Sequence, residues 1–162
     1  MRNLLFCVAL LSSLSARADD QKAILKACKT QAQLNSTATV KADWETTLRY
    51  THPKLIERLG GREAMLKYLK EQKSTVNFKL ISLTVSDPTI LSRSGNQLWV
   101  VVPQKGVFKV DRDTFEQATY MVGISENAGK DWWFVDGLGI QQLGLTPPAD
   151  FKIPKTSPPT KK

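Results

Sequence analysis

The chain has 162 residues, of which 41% are apolar and 23% are charged, with 9 Gly, 8 Pro and 2 Cys. This composition is typical of one globular domain and excludes a fibrous, disordered or disulfide-rich protein. The formal net charge is +8, but the basic residues of the central part alternate with acids. No basic block is interleaved with aromatic residues, so we predict no nucleic-acid binding.

The first residues, 1–18, are typical of an export signal. Arg2 supplies a positive start, residues 4–14 are largely apolar, and Ala16 and Ala18 are small residues at the positions that a signal peptidase reads. We therefore predict cleavage after Ala18 and a periplasmic or secreted protein. No later stretch approaches the roughly 20 apolar residues that a membrane helix needs, so we expect no membrane span.

Cleavage would also remove one of the two cysteines. Cys7 would leave with the signal, so Cys28 alone would remain and no internal disulfide could form. Ile24, Leu25 and Cys28 lie on one face of a helix, which favours Cys28 as a small buried hydrophobic residue. A reactive or dimer-forming thiol is the alternative.

Four helices are predicted next, because apolar residues recur at helical spacing. Residues 35–37, Asn-Ser-Thr, are expected to interrupt the first helix with a turn. Pro53 suits the first turn of the third helix, and Gly60 and Gly61 are expected to end it. The approximate bounds of the four helices are 20–34, 41–50, 53–59 and 62–73.

After Ser74 the apolar period changes from helical to two, which predicts strands. Near Leu80 and Ile81 the apolar set shifts by one residue, so we predict a β-bulge there. The nearly continuous apolar run at 98–102, bounded by Pro103, predicts a strand buried on both faces. Two further strands are predicted at 118–124 and 131–136, and a hairpin turn is predicted between them at 127–130.

Helices followed by strands with hairpin-length connections predict an α+β fold with an antiparallel sheet. The predicted organisation is a signal at 1–18, one domain at 19–145 and a Pro/Lys-rich tail at 146–162. We expect this tail to be flexible; it carries much of the basic excess, and residues 156–162 have too few apolar residues to pack and should be extended.

Four short motifs give the chain a resemblance to a known family. They are Tyr-Thr-His-Pro-Lys-Leu at 50–55, Gly-Gly-Arg-Glu-Ala-Met at 60–65, Trp-Trp-Phe-Val-Asp at 132–136 and Phe-Lys-Ile-Pro at 151–154. The predicted order of a helical hairpin, two Gly-linked helices, a bulged strand and a meander ending at Asp136 resembles the nuclear transport factor 2-like (cystatin-like) superfamily. The four motifs more narrowly resemble small exported bacterial proteins of this superfamily that mostly have no assigned activity. The resemblance implies N-terminal helices packed on a strongly curved sheet that forms a cone, and a homodimer that pairs through the sheet.

The superfamily contains isomerases, dehydratases and cyclases as well as non-enzymatic binding modules, so the resemblance leaves the activity open. A His-Asp pair or a lone acid often acts inside the cone, and His52, Asp43 and Asp136 are the candidates here. The isomerase pattern needs a general-base carboxylate, with a tyrosine and a protonated acid as oxyanion donors. Tyr50, Tyr120 and Asp136 are of the right types, although no spacing assigns them those roles. Structural alternatives are that His52 starts a helix and that Asp136 ends a strand.

Four aromatic residues are candidates for lining a pocket for a small apolar or aromatic ligand, with burial in the core as the alternative. They are Tyr50, Trp99, Trp132 and Trp133. Trp132 or Trp133 would also suit a dimer interface as an aromatic anchor. With one histidine and no phosphate-binding loop, we expect no metal and no cofactor. We therefore predict an exported, non-catalytic binding or assembly module, with a small-molecule lyase or isomerase as the alternative.

Overall fold

The structure is a computed structural model that describes residues 5–75 and 77–162. Five helices lie in these ranges: α1 Leu5–Lys41, α2 Trp44–Tyr50, α3 Pro53–Arg58, α4 Arg62–Thr75 and α5 Gly137–Gln142. Six strands accompany them: β1 Phe78–Val85, β2 Thr89–Ser94, β3 Gln97–Val110, β4 Asp113–Ser125, β5 Trp133–Asp136 and β6 Thr160–Lys161.

The strands form one antiparallel sheet in the order β1-β3-β4-β5, with β2 also paired to β3 and β6 also paired to β4. Most helices precede this sheet, which confirms the predicted α+β fold. Part of the predicted signal, residues 1–4, lies outside the described residues, and α1 runs without a break through Ala18. Within the described ranges, no helix is both long and apolar enough to cross a membrane.

Helix α1 is longer than the sequence predicts. Residues 35–37 were expected to form a turn, but they remain helical and α1 ends only at Lys41. The expectation was wrong because packing overrides the weak helix propensity of these residues. Ser36 is 1% exposed and continues, at intervals of four, the small buried side chains of Cys28 and Ala32. Tertiary contact with the sheet therefore extends the helix.

The predicted bulge in β1 is confirmed. Leu80 lies opposite Phe108 and Ser82 opposite Val107, so Ile81 is an extra residue in the ladder. Its side chain is 42% exposed, although it belongs to an apolar run. A bulge increases the local bend and twist of a strand, here in the part of β1 that leads to the helices.

The sheet is buried on both faces, as the apolar run at 98–102 predicted. One face, which we call the helix face, packs against α1, and the other, the tail face, packs against α5 and the segment after it. The helix-face core contains Cys28, Ala32, Val85, Leu98, Val100, Val102, Met121, Trp132 and Phe134. The tail-face core contains Trp99, Val101, Tyr120, Val122, Ile124, Val135, Ile140 and Phe151.

Strand β3 does not end at Pro103 but continues to Val110. The prediction of an end there was wrong because the carbonyl of Pro103 still accepts a hydrogen bond from the Ser86 amide at 2.9 Å. Strand β2 and helix α5 were missed altogether. Both are six residues long and lack a clear apolar period, so their pairing partners define them more than their own sequence does.

Part of the tail packs on the sheet, whereas residues 156–162 are exposed. Phe151 is 7% exposed and its ring lies edge-on to that of Trp99, with centroids 5.7 Å apart. Ile153 packs on the same core, so the packed chain extends beyond residue 145. Strand β6 then pairs with Phe115 and Glu116 of β4. The few apolar residues of the tail thus cover the tail face.

Candidate functional site

A cavity of about 290 Å³ lies between the helices and the helix face, and we call it the inner cavity. Helices α1, α3 and α4 and strands β1, β3, β4 and β5 supply its walls. The lining residues are Asn35, Ser36, Thr39, Thr51, Leu55, Met65, Leu83, Gln104, Met121, Phe134, Val135 and Asp136. An apolar cavity with a few convergent polar groups is the usual form of a small-molecule site.

Helix α1 supplies three of the polar side chains. The Oδ1 atom of Asn35 is buried and has no hydrogen-bond partner within the described part of the chain, while its Nδ2 lies 3.9 Å from the sulfur of Met121. Ser36 is within 3.5 Å of Oε1 of Gln104. A buried carbonyl oxygen without a hydrogen-bond donor destabilises the folded protein. A ligand that donates a hydrogen bond to Oδ1 of Asn35 would remove this cost.

Asp136 stands at the end of β5, where the sheet meets the inner cavity. Its Oδ1 accepts a hydrogen bond of 2.6 Å from the amide of Gly139 and so caps α5. Asp136 therefore ends the strand, as the structural alternative predicted, and also lines the inner cavity. Its position at the inner cavity agrees with the alternation of side chains along β5, which places Asp136 on the same face as Phe134.

Asp136 also lines a second, larger space at the edge of the sheet. This space, the edge groove, has a volume of about 660 Å³ and lies between β4, the start of α5 and the tail. Its lining residues are Gln117, Thr119, Tyr120, Asp136, Gly137, Gln141, Ile153, Pro154, Lys155 and Thr156. Burial, assisted by the charge of Asp136, raises the pKa of Tyr120 above its ordinary value.

His52 and Asp43 are both used at helix starts. His52 is 5% exposed, and its Nδ1 accepts a hydrogen bond of 3.3 Å from the amide of Lys54 at the start of α3. Its ring also lies edge-on to Trp133 at 6.0 Å. Asp43 caps α2 by accepting from the amide of Thr46 at 3.2 Å. Neither residue is among those lining the inner cavity, so the structure does not bring them together with Asp136 there.

The four aromatic candidates do not surround one pocket. Trp99 and Trp132 are each 1% exposed and belong to the tail-face and helix-face cores, respectively. Tyr50 is half-buried against the helix-face core, and Trp133 is half-buried beside His52. None of the four lines the inner cavity or the edge groove. Trp132 is buried by the chain itself and so cannot anchor a partner from the surface.

The buried thiol of Cys28 lies apart from this site. Cys28 is 0% exposed, as expected, and burial raises its pKa to about 12. Its sulfur lies in the helix-face core, close to the backbone of Gly123. A thiol with so high a pKa is a poor nucleophile at neutral pH, so Cys28 is structural.

Sequence reasoning missed the α1 side of the inner cavity, because residues 35–37 were assigned to a turn. The signal that would have found it is the interval of four residues that joins Cys28, Ala32 and Ser36. This stripe of small residues continues the helix and directs its neighbours Asn35 and Thr39 toward the sheet. In the described ranges, no group of three or more His, Cys, Asp or Glu is arranged to hold a metal ion.

No protein-family model, curated protein sequence or solved structure matches this chain.

Proposed function

We propose that this protein is an exported binding module that holds a small ligand in the inner cavity, without catalysing a reaction. The observation that carries the proposal is the cavity itself, in which the buried Oδ1 of Asn35 has no donor among the described residues. A bound hydrogen-bond donor would satisfy this atom. The neighbouring apolar side chains of Leu55, Met65 and Phe134 would hold the body of the ligand.

Membership of the nuclear transport factor 2-like superfamily is part of this proposal. Its support is the motifs noted above together with an α+β fold in which four helices precede a bulged antiparallel sheet. Export is supported by the signal pattern of residues 1–18. The α1 residues that pack on the helix face, from Ile24 to Ala32, all follow Ala18. Cleavage would therefore leave those contacts in place.

Native mass spectrometry of the protein recovered from its host cell tests both parts. We expect a mature mass that begins at Asp19 and carries a small-molecule adduct. A chain that retains Met1 would show that the signal is not cleaved, whereas a mature chain without an adduct would argue against the binding function. The variant Asn35→Leu keeps the branched shape of the side chain but removes its polar atoms, and it should lose the adduct. Gln33→Leu, on the exposed side of α1, is the matched control and should keep it.

A lyase or isomerase remains the second candidate, because Asp136 lies at the wall of both the inner cavity and the edge groove. A carboxylate in such a position is able to accept a proton from a bound substrate. If the adduct is chemically converted by the protein, Asp136→Asn should abolish the conversion. His52→Gln should not, because His52 caps α3 and does not line the cavity. Unchanged turnover in both variants would exclude this mechanism.

Homodimerisation through the sheet is also proposed from the resemblance. Trp132 is buried inside the protomer, so Trp133, which is half-buried, is the remaining candidate anchor. Sedimentation velocity at high micromolar concentration measures the oligomeric state directly. A dimer that Trp133→Ala dissociates would support the interface, and a monomer at that concentration would exclude it.

A further inference from the structure

The lining of the inner cavity has an electrostatic bias that indicates the class of ligand. Asp136, an exposed residue, is the one charged residue among the described residues that line the cavity. Asn35 adds a buried oxygen without a donor, and Gln104 directs its Oε1 toward Ser36. Within the part of the chain that the structure describes, no lysine, arginine or histidine lines the cavity. The lining therefore favours a ligand that donates hydrogen bonds and carries positive charge.

Asp136 is held in place before any ligand binds. Its Oδ1 is fixed by the Gly139 amide at 2.6 Å, while its Oδ2 receives no hydrogen bond from the part of the chain that the structure describes. One carboxylate oxygen is thus used by the fold and the other is left for a ligand. A group that is already oriented loses little conformational entropy on binding, which increases the affinity for a correctly placed donor.

The rest of the cavity limits the size and polarity of the ligand. Its volume of about 290 Å³ is at the small end of the range for small-molecule pockets. Leu55, Met65 and Phe134 supply apolar surface, in addition to the polar residues that α1 supplies. A small molecule with an apolar body and one cationic head group would match these apolar and polar parts of the lining.

We infer that the inner cavity binds a small organic cation, a primary amine on an apolar body, whose ammonium group is held by Asp136. This inference rests on the proposed binding function and adds the chemical class of the ligand. The ammonium donates to the free carboxylate oxygen, and the apolar body packs against Leu55, Met65 and Phe134. The carboxylate excludes organic anions by charge repulsion.

Three probes of one shape and different charge test the inference: benzylamine, benzyl alcohol and benzoate. Their binding to the full chain at low ionic strength is measured by chemical-shift titration. A charge-assisted hydrogen bond is stronger than a neutral one by about 1.4 kcal/mol, which is tenfold in affinity, so benzylamine should bind about tenfold more tightly than benzyl alcohol. Benzoate should not bind measurably.

Two variants assign this preference to a residue. Asp136→Asn keeps a capping side chain for α5, because Asn is as good an N-cap as Asp. It should reduce the affinity for benzylamine about tenfold and leave benzyl alcohol unchanged. Asp150→Asn makes the same substitution at an exposed residue outside the cavity and is the matched control, which should retain the full preference.

The inference and the proposed function fail in different ways. Equal binding of all three probes, tighter binding of benzoate, or an amine preference that survives Asp136→Asn would overturn the inference. If no probe binds but the recovered protein carries an adduct that Asn35→Leu removes, the ligand class is wrong and the binding function stands. If no probe binds and no adduct is found, both are wrong.

Discussion

The two faces of the sheet are covered by different kinds of chain, and this difference decides where space is left. On the helix face, the small side chains of Cys28, Ala32 and Ser36 let the long helix α1 lie close to the strands, and α3 and α4 supply further walls of the inner cavity. On the tail face, α5 and an extended segment follow the surface, and Ile140 and Phe151 fill it. Helices of fixed shape leave a concave space beside a twisted sheet, whereas an extended chain adapts to the sheet and leaves a groove only at its edge.

The largest effect is expected from removing one aromatic side chain from the helix face. Trp132 is 1% exposed and its Nε1 donates a hydrogen bond of 2.9 Å to the carbonyl of Gly129. Trp132→Ala should lower the free energy of unfolding by about 3–5 kcal/mol through the cavity it creates. Phe151→Ala, on the tail face, should cost less, because Phe151 lies in an extended segment that can shift to fill part of the space.

Urea unfolding of both variants measures this difference. Trp132→Phe, which retains a ring but not the hydrogen bond, is the control for volume and should lose less stability than Trp132→Ala. Equal losses for Trp132→Ala and Phe151→Ala would show that the tail is as much a part of the core as α1. The proposed difference between the faces, that the extended tail adapts to a lost side chain better than α1 does, would then be wrong.

A second prediction concerns the boundary between the faces, at Gly137. A Cβ atom placed at Gly137 would lie 2.0 Å from the hydroxyl oxygen of Tyr120 and 2.8 Å from its Cζ. Gly137→Ala should therefore destabilise the protein by about 1–3 kcal/mol through overpacking. Removing the hydroxyl in the double variant Gly137→Ala/Tyr120→Phe should recover part of this loss, because the ring carbons still crowd the Cβ.

The double-mutant cycle is measured by thermal unfolding, with Tyr120→Phe alone as the reference. A loss in Gly137→Ala that the second substitution leaves unchanged would place the strain elsewhere, for example in the cap that Asp136 forms on α5. Gly61→Ala is not a suitable control, because its φ of +93° is itself unfavourable for alanine. Gly106 has ordinary backbone angles and a nearest contact of 3.4 Å, so Gly106→Ala is the better one.

Local signals in the sequence were sufficient for those parts of the fold that depend on local pattern. The change of period near Leu80 predicted the bulge, the apolar run at 98–102 predicted a strand buried on both faces, and Pro53 and Gly60 marked the ends of α3. The tail could not be predicted in this way. Phe151 is buried by Trp99, which lies 52 positions earlier, and no periodicity records such a contact.

The candidate site was predictable on one side only. Asp136 was placed on the face of Phe134 by simple alternation, and the structure has it at the wall of the inner cavity. Asn35 and Ser36 were assigned to a turn, because their residue types favour turns and the sheet that keeps them helical lies far along the chain. A cavity depends on the distance between two layers, which is set by the packing of many residues at once.

A third prediction concerns the pH dependence of the stability, which His52 on the helix side of the sheet should produce. Burial holds the pKa of His52 below its ordinary value of 6.5, and the neutral ring accepts the Lys54 amide through Nδ1. Glu126 and Glu57 oppose this shift and Lys54 adds to it. The unfolded chain takes up the proton at higher pH than the folded one. The stability should therefore fall as the pH drops below about 6.5, until the folded-state pKa is passed.

Urea unfolding between about pH 8 and pH 5 checks this effect. His52→Asn keeps an oxygen that can cap α3 but does not titrate, so its stability should vary less with pH in this range. If wild type and variant show the same pH dependence, His52 is not the group responsible. A wild type whose stability rises on acidification would contradict the sign.

The smallest effect is expected where the tail ends on the sheet. Lys161 pairs with Asp113 at 2.8 Å and Lys162 with Glu116 at 2.7 Å, and both lysine side chains are more than half exposed. The ammonium groups of Lys105 and Lys162 hold the pKa of Glu116 below its ordinary value. The attractions of Lys105 and Lys162 to Glu116 are therefore complete above the ordinary pKa of Glu116 and are lost as the pH falls through its lowered value. They are also weakened by salt at any pH.

Hydrogen exchange at the Lys162 amide, which donates to the Thr114 carbonyl at 2.9 Å, measures this attachment. Asp113→Asn or high salt should speed the exchange, while the free energy of unfolding changes little, because exposed ion pairs contribute little to stability. Lys105→Ala is the matched control, since Lys105 also pairs with Glu116 but lies in β3. If salt leaves the exchange unchanged, the backbone pairing of β6 with β4, and not charge, holds the tail. The edge groove would then be bounded as firmly as the inner cavity, because its outer wall, residues 153–156, is part of the same tail.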